Sequence, residues 1–134
     1  MDRTSKLFNY VNAHERKLFV WGKNDCFTFT LGWIKEATGR DVWAKTKDWQ
    51  KIAKDYKSEE DALSLLELFG GREKAEACLG ESIHVSSAVA GDVVCGDLSD
   101  GETLGICLGL DSVFLGLRGL VTVRTLKLNK AWRV

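Results

Sequence analysis

Cys26 stands where a polar stretch, Lys23, Asn24 and Asp25, gives way to an apolar run that extends to Ala37. A cysteine in the first turn of a helix has main-chain N–H groups aimed at its sulfur, and the positive end of the helix dipole favours thiolate over thiol. The same amides can stabilise an oxyanion forming on a substrate carbonyl. Cys26 is therefore a candidate nucleophile. The competing role is packing, since an unpaired cysteine commonly behaves as a small buried hydrophobe. Such a thiol needs a base, and the chain has two imidazoles, His14 and His84. His14 falls on an apolar stripe with Leu7, Tyr10, Val11 and Leu18, and reads as a hydrogen-bonded core residue. His84 lies in Ser82-Ile83-His84-Val85-Ser86-Ser87, a loop or edge segment, and is the candidate base, because the groups of an active site need not follow any sequence order. Trp21 and Asp25 adjoin Cys26 and are candidates for lining a groove beside it.

Cys78, Cys95 and Cys107 form no CxxC pair with one another or with Cys26, so neither a zinc site nor a disulfide framework is expected. No cofactor is implied. Nineteen basic and nineteen acidic residues leave a net charge of zero, and no basic block stands out. Nucleic acid is therefore an unfavoured partner. Residues 1–15 lack the uninterrupted apolar core of a secretory signal, and no stretch approaches a membrane span. The expectation is a chain made in a cytoplasm, with no signal peptide and no membrane insertion.

The elements that must hold these residues fall into two groups. Residues 4–17 have the spacing of an amphipathic helix. Asn24 or Asp25 can cap a second helix from Cys26 to Ala37, apolar on nearly every side and hence buried, with Gly39 as its stop. Weaker helical patterns cover 45–56 and 72–79. Ser58, followed by three acids, opens another that ends at Gly70-Gly71. Seven of the thirteen glycines lie from Gly91 to Gly119, where charges thin out and the period changes. Strands are expected over Val93–Cys95, Leu104–Leu108, Val113–Leu115 and Leu120–Arg124, as an antiparallel meander on the buried helix. The fold class is α+β, a single domain over 1–134, helical in 1–80 and strand-rich in 91–134. Trp132, near the end, either docks a partner or closes over the sheet.

Three landmarks carry a resemblance. Phe19, Trp21 and Gly22 lead into Asp25-Cys26 at a helix start. Gly91-Asp92-Val93-Val94 looks like a Gly-Asp-aliphatic-aliphatic strand opening. Leu104-Gly105-Ile106-Cys107-Leu108-Gly109 is similar to a strand of the type His-Val-Gly-Ile-Tyr-Leu-Gly. Together they resemble the NlpC-like cell-wall cysteine peptidases, a branch of the papain-like fold. The whole chain, with its ending Ala131-Trp132-Arg133-Val134, looks more narrowly like short proteins of phages and prophages whose genes sit among those of the tail tip.

That resemblance implies a papain-like, NlpC-type domain with Cys26 at the nucleophile position. It also exposes a departure, because Thr103 occupies the histidine's slot and the residue that orients the histidine falls at Phe114 or Leu115. None of these can accept a thiol proton. The expectation is a pseudoenzyme: a structural or assembly protein of the phage tail tip, reaching the virion tail by assembly in the host cytoplasm, with other tail-tip proteins as partners. The rival expectation is an active cysteine peptidase or amidase acting on peptidoglycan peptides, with His84 as base. A third is a cytoplasmic protein that captures a small peptide or host factor in the vestigial groove.

Overall fold

The computed structural model describes residues 2–15, 17, 26–40, 79–98, 101–116 and 119–134, with the main chain only at 26, 27, 98, 101 and 102. Two helices, α1 (Arg3–His14) and α2 (Cys26–Thr38), precede five strands: β1 (Val93–Leu98), β2 (Gly101–Cys107), β3 (Asp111–Gly116), β4 (Gly119–Arg124) and β5 (Lys130–Trp132). The class is α+β. The helical patterns at 45–56 and 58–69 lie outside the described residues, as does that at 72–79 apart from Leu79.

Local chemistry sets the helix limits. Asp2 caps α1 by accepting from the Ser5 amide at 2.8 Å. The helix ends at His14, three residues short of the expected limit, where the Lys17 amide turns back to the His14 carbonyl at 3.3 Å. After α2, Gly39 takes a positive φ of 76° and its amide bonds the Lys35 carbonyl at 2.8 Å, the left-handed stop that glycine supplies. Among the described residues, no helix is long and apolar enough to cross a membrane.

The sheet has the order β4-β3-β2-β1-β5, with every neighbouring pair antiparallel. β1 to β4 form the expected meander. β5 was not among the expected strands; it closes the other edge beside β1, pairing Val93 with Trp132 and Cys95 with Lys130. Ile83 extends that edge through a bridge to Ala131.

Strand alternation sorts the side chains cleanly. On one face Ile106, Val113 and Leu115 pack with Leu7, Val11, Phe29 and Trp33 of the two helices. On the same face Val93, Cys95 and Trp132 pack with Leu31 and Ile34. The opposite face buries Val94, Cys107, Phe114 and Ala131 under Val85 and Leu128. Cys95 and Cys107 are both buried, and neither is in a disulfide. Cys107 is held under the β2–β3 turn, where its sulfur accepts from the Gly109 amide at 3.3 Å. Beside it Thr125 Oγ1 donates to the Gly109 carbonyl at 2.7 Å and receives the Ser112 hydroxyl at 2.8 Å.

Candidate functional site

The Gly91-Asp92 landmark is a tie point for three distant parts of the chain. Asp92 is fully buried. One carboxylate oxygen receives the Val89 amide at 2.9 Å, and the other receives the Val134 amide at 3.2 Å. Arg3 of α1 and Arg133 approach the same carboxylate at 3.5 and 3.4 Å. Arg3 also donates to the main-chain oxygen of Val134, and Arg133 donates to the Ser87 carbonyl at 2.9 Å. From α2, Trp33 Nε1 donates to the Gly91 carbonyl at 2.8 Å. Gly91 has a φ of 96°, in the left-handed region that favours glycine. The Ala131-Trp132-Arg133-Val134 ending belongs to the same cluster.

Trp132 is fully buried on the helix-covered face, so closure over the sheet is the arrangement found and its indole is not a surface docking group. Trp21 and Asp25 lie outside the described residues. Cys26 is the first residue of α2, as expected; its side chain is not among those described.

Thr103 pairs with Gly96, and a Cβ on Gly96 would strike Leu128, which packs on the face opposite the helices. Thr103 therefore projects away from α2, while its neighbours Leu104 and Ile106 face it. Phe114 and Leu115 are buried among apolar side chains.

The two histidines have opposite surroundings. His84 is exposed and caps a 3-10 turn, Val85–Ser87, whose Val85 packs on the face away from α2. Its Nδ1 accepts from the Ser86 amide at 3.1 Å and lies 2.8 Å from Ser86 Oγ. An atom that accepts an N–H carries no proton, so the lone pair of the neutral ring is used in the cap.

His14 is buried at the end of α1, with Nδ1 2.8 Å from the Tyr10 carbonyl. A carbonyl only accepts, so Nδ1 carries the proton and the neutral ring holds its free lone pair on Nε2. The ring meets Phe29 edge-on at 5.1 Å and Tyr10 at 4.4 Å. One turn earlier, Tyr10 contacts Phe29 at 5.7 Å and Trp33 at 5.8 Å. As α1 advances its partners recede along α2, so the helices run in opposite senses and the end of α1 meets the start of α2. The Tyr10 hydroxyl donates to the Phe29 carbonyl at 2.6 Å and rests against Gly32, where a Cβ would lie 2.4 Å from it. Burial, with the Glu36 carboxylate adding to it, pushes the Tyr10 phenol above its ordinary range and keeps it a donor.

Burial lowers the His14 pKa from its ordinary 6.5; Lys17 adds to the lowering, and the bond to Tyr10 opposes it. Below about pH 6.5 the unfolded chain takes up a proton that the folded chain declines. Stability is thus complete above that pH and falls as the pH drops from there through the lower folded value. Urea midpoints measured at pH 7.5 and 5.5 should show the decline, and His14→Gln should flatten it.

Sequence reasoning placed His14 correctly in the core and missed its position at the Cys26 end of α2. The chain itself carried one signal, the shared stripe of Tyr10 and His14. Among the described residues, no three His, Cys, Asp or Glu side chains are arranged to hold a metal ion.

No curated protein matches the chain. A family model described as Domain of unknown function (DUF6950) matches residues 1–134. With its landmark residues accounted for as structural ties, the chain belongs to the DUF6950 family.

Proposed function

We propose that this chain is a tail-tip component of a phage or prophage, built on a papain-like, NlpC-type domain and serving chiefly in assembly. The observation that carries the reading is the fate of the strand positions that would hold the peptidase base and its orienting partner. Thr103 projects to the sheet face opposite α2, and Phe114 and Leu115 are core residues. The landmarks shared with the peptidases, Gly91-Asp92 and Leu104 to Gly109, do architectural work instead. They tie α1, α2 and the Ala131–Val134 segment to the sheet, which suits a rigid part docked among other tail-tip proteins. Fold and chemistry separate readily in this way. Mass spectrometry of purified particles from the phage or induced prophage tests the proposal: the chain should be found in the tail fraction. Particles free of it would refute the reading.

A second reading, a cysteine hydrolase acting on peptidoglycan peptides, is favoured by the antiparallel packing that brings His14 to the end of α2 opened by Cys26. His84, the base expected from the sequence, has its basic nitrogen engaged in a cap. On this reading His14 takes its place. Release of new amino termini from purified peptidoglycan separates the two readings.

A further inference from the structure

We propose that β4 is an open sheet edge that pairs with β4 of a second copy of this chain. The two strands run antiparallel about a two-fold axis through Thr122, and two five-stranded sheets become one. The inference stands apart from both functional readings and rests on the sheet alone.

Main-chain groups at the two edges of the sheet meet different fates. At the β5 edge, Ala131 is the residue turned outward. Its amide donates to the Ile83 carbonyl at 3.1 Å, and its carbonyl receives the Ile83 amide at 2.7 Å. That edge is closed. At the other edge, the Thr125 amide donates to the Leu110 carbonyl at 2.9 Å, which fixes the phase of the ladder between β4 and β3. Bonded and non-bonded residue pairs alternate along an antiparallel ladder. Gly119, Val121 and Val123 therefore bond to β3, while Leu120, Thr122 and Arg124 turn their N–H and C=O groups outward. Among the described residues, nothing in the fold pairs with these outward groups.

β4 also lacks the devices that keep an edge strand solitary. Its register with β3 runs without a bulge from Asp111 and Arg124 to Gly116 and Gly119. It contains no proline and no lysine. Its single charge, Arg124, sits at the end of the strand, 3.5 Å from Asp111 of β3. Val121 is 44% exposed beside Phe114, on the face away from the helices.

The occupant is a second copy because the strand complements itself. With Thr122 opposite Thr122, Leu120 of each copy faces Arg124 of the other, and every outward donor and acceptor finds a partner. An axis at Val121 would set Arg124 beyond the start of the facing strand, and one at Val123 would set Leu120 beyond its end. In the Thr122 register, Val121 of each copy lies beside Val123 of the other, a cross-strand pair of β-branched side chains that covers the exposed valine. Charge agrees with the same register. Arg124 faces Leu120 and keeps its own Asp111, and the two Arg124 residues stand at opposite ends of the pairing. They are separated by about 14 Å along the strands, beyond the screening length at physiological salt. A two-fold contact of this kind uses one patch on both copies.

Sedimentation of the full chain from about 10 to about 500 µM tests the pairing. The mass should rise with concentration from 14.9 kDa toward twice that value. Thr122→Lys puts like charges on the axis at an exposed position and should weaken association about tenfold or more. Thr122→Pro removes only an outward N–H, which an edge strand tolerates, so β4 stays in its own sheet while the dimer is lost. Thr122→Cys reads the register, because Cα atoms of a bonded antiparallel pair lie about 5.5 Å apart, within disulfide reach. Oxidation by diamide should give a dimer linked through position 122, identified by peptide mass spectrometry. Leu110→Cys, at a site 77% exposed, should give little. A chain that stays at 14.9 kDa throughout overturns the proposal. So does a dimer that neither Thr122→Lys nor Thr122→Pro weakens, or equal crosslinking at both positions.

Discussion

Asp92→Ala is expected to lower the unfolding free energy by about 2–4 kcal/mol, because two part-buried amides lose an acceptor that is itself fully buried. The arginines contribute the smaller share. Arg3 and Arg133 side chains are 42% and 53% exposed, so each keeps much of its hydration when the carboxylate is removed. The Val89 and Val134 amides are only part-buried, but the bonds they lose run to a fully buried carboxylate. Arg3→Ala and Arg133→Ala should therefore each cost about 1 kcal/mol or less. Asp92→Asn, which keeps one carbonyl acceptor, should fall between these and Asp92→Ala. Urea unfolding followed by circular dichroism checks the ranking. A chain with an ordinary stability of about 5–15 kcal/mol would lose a substantial part of it through Asp92→Ala.

Gly105→Ala should cost about 3 kcal/mol, at the upper end for overpacking, despite adding one methyl group. The new Cβ would stand 2.6 Å from the Phe114 ring and 2.6 Å from the Val113 carbonyl oxygen. The ring can rotate only into neighbours that are themselves buried, and the carbonyl belongs to the adjacent strand. Relief therefore requires β2 and β3 to separate. The contrasting change is Gly39→Ala, which meets nothing within 4 Å and costs only the strain of a left-handed residue, about 1 kcal/mol. A melting temperature lowered several degrees further by Gly105→Ala than by Gly39→Ala is the expected result.

These two sites show which features can be read from a sequence. α2 was legible because Cys26 to Ala37 is apolar on nearly all sides and Gly39 follows it. The meander was legible because glycine-bounded apolar runs repeat from Val93 to Arg124. β5 was not, since three residues carry no period and its place beside β1 is set by tertiary pairing. Asp92 read only as a strand opening; its ligands Arg3, Arg133 and Val134 come from opposite ends of the chain. The same limit explains the histidines. The loop setting of His84 points to a base, yet the local Ser86 amide holds its basic nitrogen. The apolar stripe correctly marks His14 as buried, but the direction in which α1 crosses α2 decides what it faces, and no local pattern encodes that direction.

On the reading proposed here, the cysteine-bearing helix survives because it is the centre of the core. The tail role rests on the rigid docking of a tied sheet and helix pair. Deleting the coding sequence from the phage or prophage and imaging the purified particles by electron microscopy tests this most directly. The account predicts particles with missing or unfinished tails, restored when the chain is supplied in trans. Complete, infectious tails without the chain would contradict it.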